Sequence, residues 1–257
     1  IVSVRQASAR RMKRSNVATF TDLYTPIRKL FAEYGEIDAD EPSSCARRPD
    51  AAAFSFNRPG GRCEVCEGMG AVRNHLVFFA DTEVTCPACR GRRFREEVLA
   101  VRFRGLSISD VLDLSVEEAL SVFEAPAQPD APGPQPSAAS AQTALPGKRI
   151  PSRAAGTAAQ PSAETALLRS ILRVLRLLDE VGLDYLTLGQ PLTTLSEGEC
   201  QRLKLARELL KASSGRNLYL LDEPTRGLHP QDVEHFLLLL DRLVDAGNTV
   251  IVVEHNQ

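Results

Sequence analysis

Leu-Ser-Glu-Gly-Glu at 195–199, Leu-Leu-Asp-Glu-Pro-Thr at 220–225 and Val-Val-Glu-His at 252–255 follow one another in this 257-residue chain, and their reading decides the fold. The first phrase predicts a helix start. Ser196 is a good N-cap and Glu199 stands three residues on, the capping-box arrangement. Gly198 lets a backbone or a phosphate come close to the amides of the first turn. The second phrase predicts an apolar strand, Asn217-Leu-Tyr-Leu-Leu221, ending in Asp222 and Glu223. An acid at the tip of a buried parallel strand is a place where Mg²⁺ is held. The third predicts another buried strand, Thr249-Val-Ile-Val-Val253, delivering Glu254 and His255 to the same sheet edge. Taken singly, a Ser-x-x-Glu is a capping box and an Asp-Glu a solvated turn. The ordered set is what points to phosphoryl transfer.

Working outward, Leu167, Leu168, Ile171, Leu172, Leu175, Leu178 and Val181 recur at helical spacing, and Gly182 stops the helix. Arg169, Arg173 and Arg176 fall between them, as the wet side of a core-facing helix. A second helix is expected from the Ser196 cap to about Leu210, and a third over about 231–246, joining the two strands as a right-handed crossover. The fold class is therefore α/β, part of a parallel sheet with helices. Residues 125–165 hold eight of the sixteen prolines and no aromatic residue, so they cannot bury enough apolar surface to offset their ordering entropy and read as a flexible linker. Residues 35–53 read as a shorter loop.

Net charge is −2 and argues for no partner, but its distribution is uneven. Residues 1–20 hold Arg5, Arg10, Arg11, Lys13 and Arg14 without an acid, and residues 58–104 hold nine arginines without a lysine. Such local surplus suits phosphate contact, and equally a solvated basic face. No apolar stretch approaches the ~20 residues that span a bilayer, so a cytoplasmic location is expected. The first residue is Ile1 and the last, Gln257, follows a strand directly, so the chain reads as a piece of a longer protein.

Four of the six cysteines fall as Cys63-x₂-Cys66 and Cys86-x₂-Cys89, with nineteen residues between the pairs. Two knuckles, each giving two thiolates, suit tetrahedral Zn²⁺. Redox chemistry is the competing reading, but a redox Cys-x-x-Cys needs no partner pair. Gly68, Gly70 and Gly91 let the chain turn back so that amides can face the sulfurs. The stretch Val72 to Val84 predicts a hairpin, with His75 as a strand residue and not a ligand. Cys45 lies in a loop-like stretch, and Cys200 is expected to pack as a small apolar residue.

The three phrases resemble the signature motif, Walker B motif and switch histidine of the ATP-binding-cassette (ABC) ATPases, strengthened by Gln-Arg-Leu-Lys-Leu-Ala at 201–206. The cysteine knuckles alone resemble the DnaJ-type repeat, in one full copy and one partial. A closer resemblance combines the two. Phe54-Ser-Phe-Asn57, Gly60-Gly-Arg-Cys-Glu-Val-Cys66, Cys86-Pro-Ala-Cys-Arg-Gly-Arg-Arg93 and Gly189-Gln-Pro-Leu-Thr-Thr-Leu-Ser196 together resemble the second ATPase half of the UvrA family of excinuclease subunits. Arg14-Ser-Asn-Val-Ala-Thr-Phe-Thr21 and Pro26-Ile-Arg-Lys-Leu-Phe31 fit the same family.

The resemblance implies four parts: an ABC segment with Q-loop at 1–53, a zinc module at 54–124, a linker at 125–165, and a signature, Walker B and switch-histidine segment at 166–257. It implies ATP-dependent recognition of damaged double-stranded DNA in nucleotide excision repair, in a homodimer working with a UvrB-like helicase subunit. Implied cofactors are Zn²⁺, ATP and Mg²⁺. Asp222 would position Mg²⁺, Glu223 would polarise the attacking water, and His255 would contact the γ-phosphate. Gln6 is matched to the Q-loop glutamine, and Ser196 and Gly198 to the cap on ATP held by an opposing half. Cys63, Cys66, Cys86 and Cys89 are matched to the zinc ligands. Arg58, Arg62, Arg90, Arg92 and Arg93 are candidates for DNA phosphate contact, from charge and position.

Three departures qualify the pattern. No Gly-x₄-Gly-Lys-Ser/Thr loop occurs, so this chain alone is not expected to hydrolyse ATP. Glu197 stands where the family has glycine, and its charge is expected to weaken ATP capture. Pro59 stands beside the double glycine where a basic residue is common. Two alternatives stay open: a non-hydrolysing zinc and DNA-binding remnant, and an ABC ATPase of another kind.

Overall fold

The structure, a computed structural model, describes residues 2–3, 14–37, 48–74, 82–125, 162–211, 217–225 and 230–254. In chain order the elements are β1 (Val2–Ser3), α1 (Val17–Phe20), α2 (Tyr24–Tyr34), β2 (Glu36–Ile37), β3 (Ala71–Asn74), β4 (Thr82–Thr85), α3 (Glu96–Leu99), β5 (Val101–Phe103), β6 (Leu106–Ser107), α4 (Ile108–Asp113), α5 (Val116–Glu124), α6 (Ala163–Glu180), α7 (Glu197–Lys211), β7 (Leu218–Asp222), α8 (Pro230–Asp245) and β8 (Thr249–Val253). A 3₁₀ turn at Leu192–Thr194 precedes α7.

Helix starts follow the sequence closely. Asn16, Ser107 and Ser115 cap α1, α4 and α5, each within a reciprocal capping box. The apolar stripe of α6 buries Ile171, Val174, Leu175 and Leu178. Its end is a Schellman turn: Gly182, at φ 66°, donates to the Asp179 carbonyl and Leu183 donates to the Leu178 carbonyl. Ala163–Thr165, read from composition as the end of the linker, are already helical, capped by Ser162. Residues 126–161 of that linker, with His75, Cys45 and the basic residues Arg5, Arg10, Arg11 and Lys13, lie outside the described residues.

Two bodies share this chain. The larger core gathers α1, α2, Phe54, Phe56, Phe94 and α3 to α6, and runs on through Leu183–Leu195 into α7. Residues 94–124 belong to this core, and β2 pairs antiparallel with β5 across it, so only the cysteine knuckles and the β3–β4 hairpin stand apart. The second body is a parallel sheet of order β1-β7-β8. Leu205 of α7 and Phe236, Leu240 and Leu243 of α8 cover its one face, against Tyr219 and Leu221.

The buried-strand expectation is corrected here. β7 alternates, with Leu220 at 38% exposure, and in β8 Ile251, Val252 and Val253 are 47%, 39% and 50% exposed. Apolar runs marked both strands as two-sided, yet among the described residues helices cover only one face of the sheet, and β8 is an edge.

Candidate functional site

At the carboxyl end of the sheet, Asp222 stands in register with Val253, and Glu223 donates its N–H to the Val253 carbonyl at 2.9 Å. Glu223 is half-buried at φ 43°, a left-handed conformation that costs a non-glycine residue about 1 kcal/mol and is held by its surroundings. Glu254, one residue past β8, accepts from the Thr225 N–H at 2.9 Å and the Thr225 hydroxyl at 2.7 Å. The turn after β7 is thus clamped to the end of β8, and Asp222, Glu223 and Glu254 share one edge, as the sequence predicts. His255, assigned there too, lies outside the described residues, as does Gln6.

The signature turn is built as its spacing implies. Ser196 N–H donates to Glu199 Oε2 at 2.6 Å, and Glu199 N–H donates to Ser196 Oγ at 3.3 Å. Tyr185, absent from the sequence reading, adds a hydroxyl bond to Glu199 Oε1 at 2.7 Å. Burial alone would raise the Glu199 pKa, but the Tyr185 and Ser196 donors outweigh it and hold the carboxyl below its usual range. Gly198 lies in the first turn of α7; the side chain of Glu197 lies outside what the structure describes. Cys200 packs in the larger core, as expected.

Two further residues of α7 join the site to the fold. Gln201, 5% exposed, donates from Nε2 to the Asp222 carbonyl at 3.0 Å, which links the signature helix directly to the tip of β7. Arg202, 6% exposed, donates to the Gly182 carbonyl at 3.0 Å, a cation set on the C-terminus of α6. Neither role had a sequence signal, because each partner is a backbone carbonyl.

The second candidate centre is the cysteine cluster. Cys63, Cys66, Cys86 and Cys89 are buried, with all four sulfurs within 4.8 Å of one another. The Cys63–Cys86 and Cys66–Cys89 sulfurs are 4.0 and 3.6 Å apart. Thiolates at about 2.3 Å from a tetrahedral Zn²⁺ lie about 3.8 Å apart, so the donor set and its spacing fit that ion. Backbone amides face the sulfurs: the Gly70 N–H reaches Cys66 Sγ at 3.3 Å, and those of Cys89 and Ala88 face Cys86. These amides, Cys89 first, draw the Cys86 thiol down to about 7, while burial pushes Cys89 up to about 12. Gly68 sits at φ 79°, where a Cβ would lie 1.9 Å from the Phe56 carbonyl oxygen. Only glycine fits there.

The five candidate DNA arginines separate into two groups. Arg58, Arg90 and Arg92 are exposed, Arg92 also donating from Nε to the Cys89 carbonyl at 3.4 Å and meeting Glu96 at 4.0 Å. Arg62 and Arg93 are partly buried and engaged: Arg62 meets Glu64 at 3.4 Å, and Arg93 turns inward to the Gly189 carbonyl at 3.2 Å.

Comparison with known proteins gives the chain's relatives. The ABC transporter family model matches residues 113–226. Over 256 residues the whole chain is 43% identical to UvrABC system protein A of Methanothermobacter thermautotrophicus and 42% to that of Bacillus subtilis, and it spans 22% of the length of each. The structure of UvrA2 from Deinococcus radiodurans superposes with a TM-score of 0.70 at 42% identity, covering 99% of this chain and 25% of that one. No described helix is long and apolar enough to cross a membrane.

Proposed function

Because the chain belongs to the ABC ATPase region of the UvrA family, we propose that the protein carrying it recognises damaged double-stranded DNA in an ATP-dependent step of nucleotide excision repair. The observation that carries this reading is the Asp222–Glu223–Glu254 edge tied to the signature helix through Gln201. ATP with Mg²⁺ supplies the phosphoryl group that water attacks. Asp222 would hold that Mg²⁺, and Glu223, held at φ 43°, would accept the water proton. Ser196 and the first-turn amides of α7, Gly198 among them, present donors to the nucleotide of an opposing half, in a homodimer. His255 and Gln6 keep their assigned roles as γ-phosphate sensor and Q-loop glutamine. The four thiolates would hold Zn²⁺, which would crosslink the knuckles when bound. Arg58, Arg90 and Arg92 face duplex phosphate, and a UvrB-like helicase subunit is the downstream partner in the cytoplasm.

The test is anisotropy of the intact protein on a duplex with one bulky lesion and on the same duplex undamaged, with ATP present. Tighter binding to the lesion, altered when ATP is withheld, is expected. Equal affinity for both duplexes with and without nucleotide contradicts the reading.

A further inference from the structure

Arg93 joins the cysteine cluster to the segment that leads to Ser196. Its carbonyl accepts from the Cys63 N–H at 2.8 Å, and its own N–H is directed to the Cys89 sulfur, so its backbone closes one side of the cysteine cluster. It does this at φ 69°, which turns the side chain away from the cluster and into the larger body. There the guanidinium lies over the Phe56 ring at 5.7 Å and donates to the Gly189 carbonyl at 3.2 Å. Phe56 in turn abuts the first knuckle, through its carbonyl against Gly68.

Gly189 lies within a strap, residues 186–195, that leads to the signature serine. The Gly189 N–H donates to the Leu112 carbonyl at 2.6 Å, and a Cβ at 189 would lie 2.8 Å from that oxygen. The next bonds bind the strap to the start of α1: Val17 N–H to Gln190, Ala18 N–H to Leu188, and Leu192 N–H to Ser15, at 2.9 to 3.1 Å. The 3₁₀ turn and buried Leu195 then deliver Ser196 to its cap. Between knuckle and strap lies a cavity of about 40 Å³, lined by Arg93, Gly189, Pro191, Asn16 and Phe56. Asn16 is 2% exposed, and its Nδ2 has no hydrogen-bond partner among the described residues. The seam is therefore closely but incompletely packed, with Arg93 as its inner crosslink. An outer one, Arg14 to Glu67 at 2.8 Å, is exposed to solvent and correspondingly weak.

We propose that Arg93 is a positioning residue that couples the four-thiolate centre to the strap 186–195, so that occupancy of the cluster sets the order of the segment presenting Ser196. This rests on the cluster binding a metal and on the ABC signature reading. It removes Arg93 from the DNA-contacting arginines and gives the knuckles a route to the nucleotide site that needs no DNA.

Hydrogen exchange on the intact protein tests it, with and without zinc chelation and with no nucleotide or DNA present. In the wild type, chelation raises exchange of the amides of Ala18, Leu188 and Leu192. In R93A with zinc bound, those amides already exchange about tenfold faster, as for one lost charge-assisted hydrogen bond, and chelation adds little. R93K falls between, because an ammonium reaches the Gly189 carbonyl but cannot lie flat on Phe56. Zinc-loaded R93A with wild-type strap exchange overturns the proposal, as does a wild type that ignores chelation. If R93A does not retain zinc, F56L decides. It leaves the Arg93 backbone intact, and wild-type strap exchange in it would also overturn the proposal. A phosphate-contacting arginine predicts something else: a salt slope of duplex binding lower by about 1 in R93A with strap exchange unchanged. Failure of the excision-repair reading shows as missing lesion preference and leaves these exchange rates where they are.

Discussion

Gln201 and Glu199 sit two residues apart on α7 and were unequally legible. Glu199 was placed by its spacing from Ser196, and the reciprocal bonds at 2.6 and 3.3 Å follow that spacing. Gln201 reads in the sequence as the first residue of the Gln-Arg-Leu-Lys-Leu-Ala stretch after the signature, but its partner is a carbonyl 21 residues away, which no local pattern marks. Replacing Gln201 with Leu removes a buried hydrogen bond and leaves the Asp222 carbonyl without it, a cost of about 1 kcal/mol in urea unfolding. In the intact protein the same change lowers kcat for ATP hydrolysis more than it alters KM, since it displaces the tip of β7 and not the signature turn. Ser196→Ala costs about 1 kcal/mol through the lost cap. Glu199 adds a pH dependence of known sign. Its folded pKa lies below the unfolded value, so its contribution is present above the ordinary glutamate range and fades as pH falls through the lowered pKa. Urea midpoints from pH 6 down to pH 3 should fall less steeply in Glu199→Gln than in the wild type.

Among the elements, the helices were the easiest to read and the sheet the hardest. Capping boxes and the glycine stop of α6 are local chemistry, so α6 and α7 begin and end close to where the sequence put them. Burial of β8 is not local. Five apolar or β-branched residues in a row look two-sided, whereas Ile251, Val252 and Val253 stand about half exposed on an edge strand. The knuckles show the same division. The cysteine spacing gave the cluster, but the close approach of Phe56 to Gly68 is tertiary. Gly68→Ala would place a methyl 1.9 Å from the Phe56 carbonyl at a φ that alanine disfavours. Zinc content per chain, measured by atomic absorption after purification, should fall well below one in this variant, and fall less in Gly60→Ala, which is strained by its φ of 113° but has nothing within 4 Å of its Cβ.

At the scale of the whole molecule, two bodies are held in series. The cysteine knuckles pack on the larger core, that core carries the signature turn, and Gln201 passes from the signature helix to the carboxylate edge of the parallel sheet. The sequence contained both ends of this chain of contacts as motifs, but not the contacts that join them. Arg93, Arg202 and Gln201 connect through backbone carbonyls, which have no sequence identity to recognise. The central claim, that the edge of Asp222 and Glu223 is a working ABC hydrolysis site in the protein that carries it, is tested most directly by steady-state ATP turnover of intact wild type and E223Q, alongside binding of labelled ATP. E223Q is expected to bind ATP about as tightly as the wild type while turnover falls by about 100-fold or more. Wild-type turnover in E223Q would contradict it.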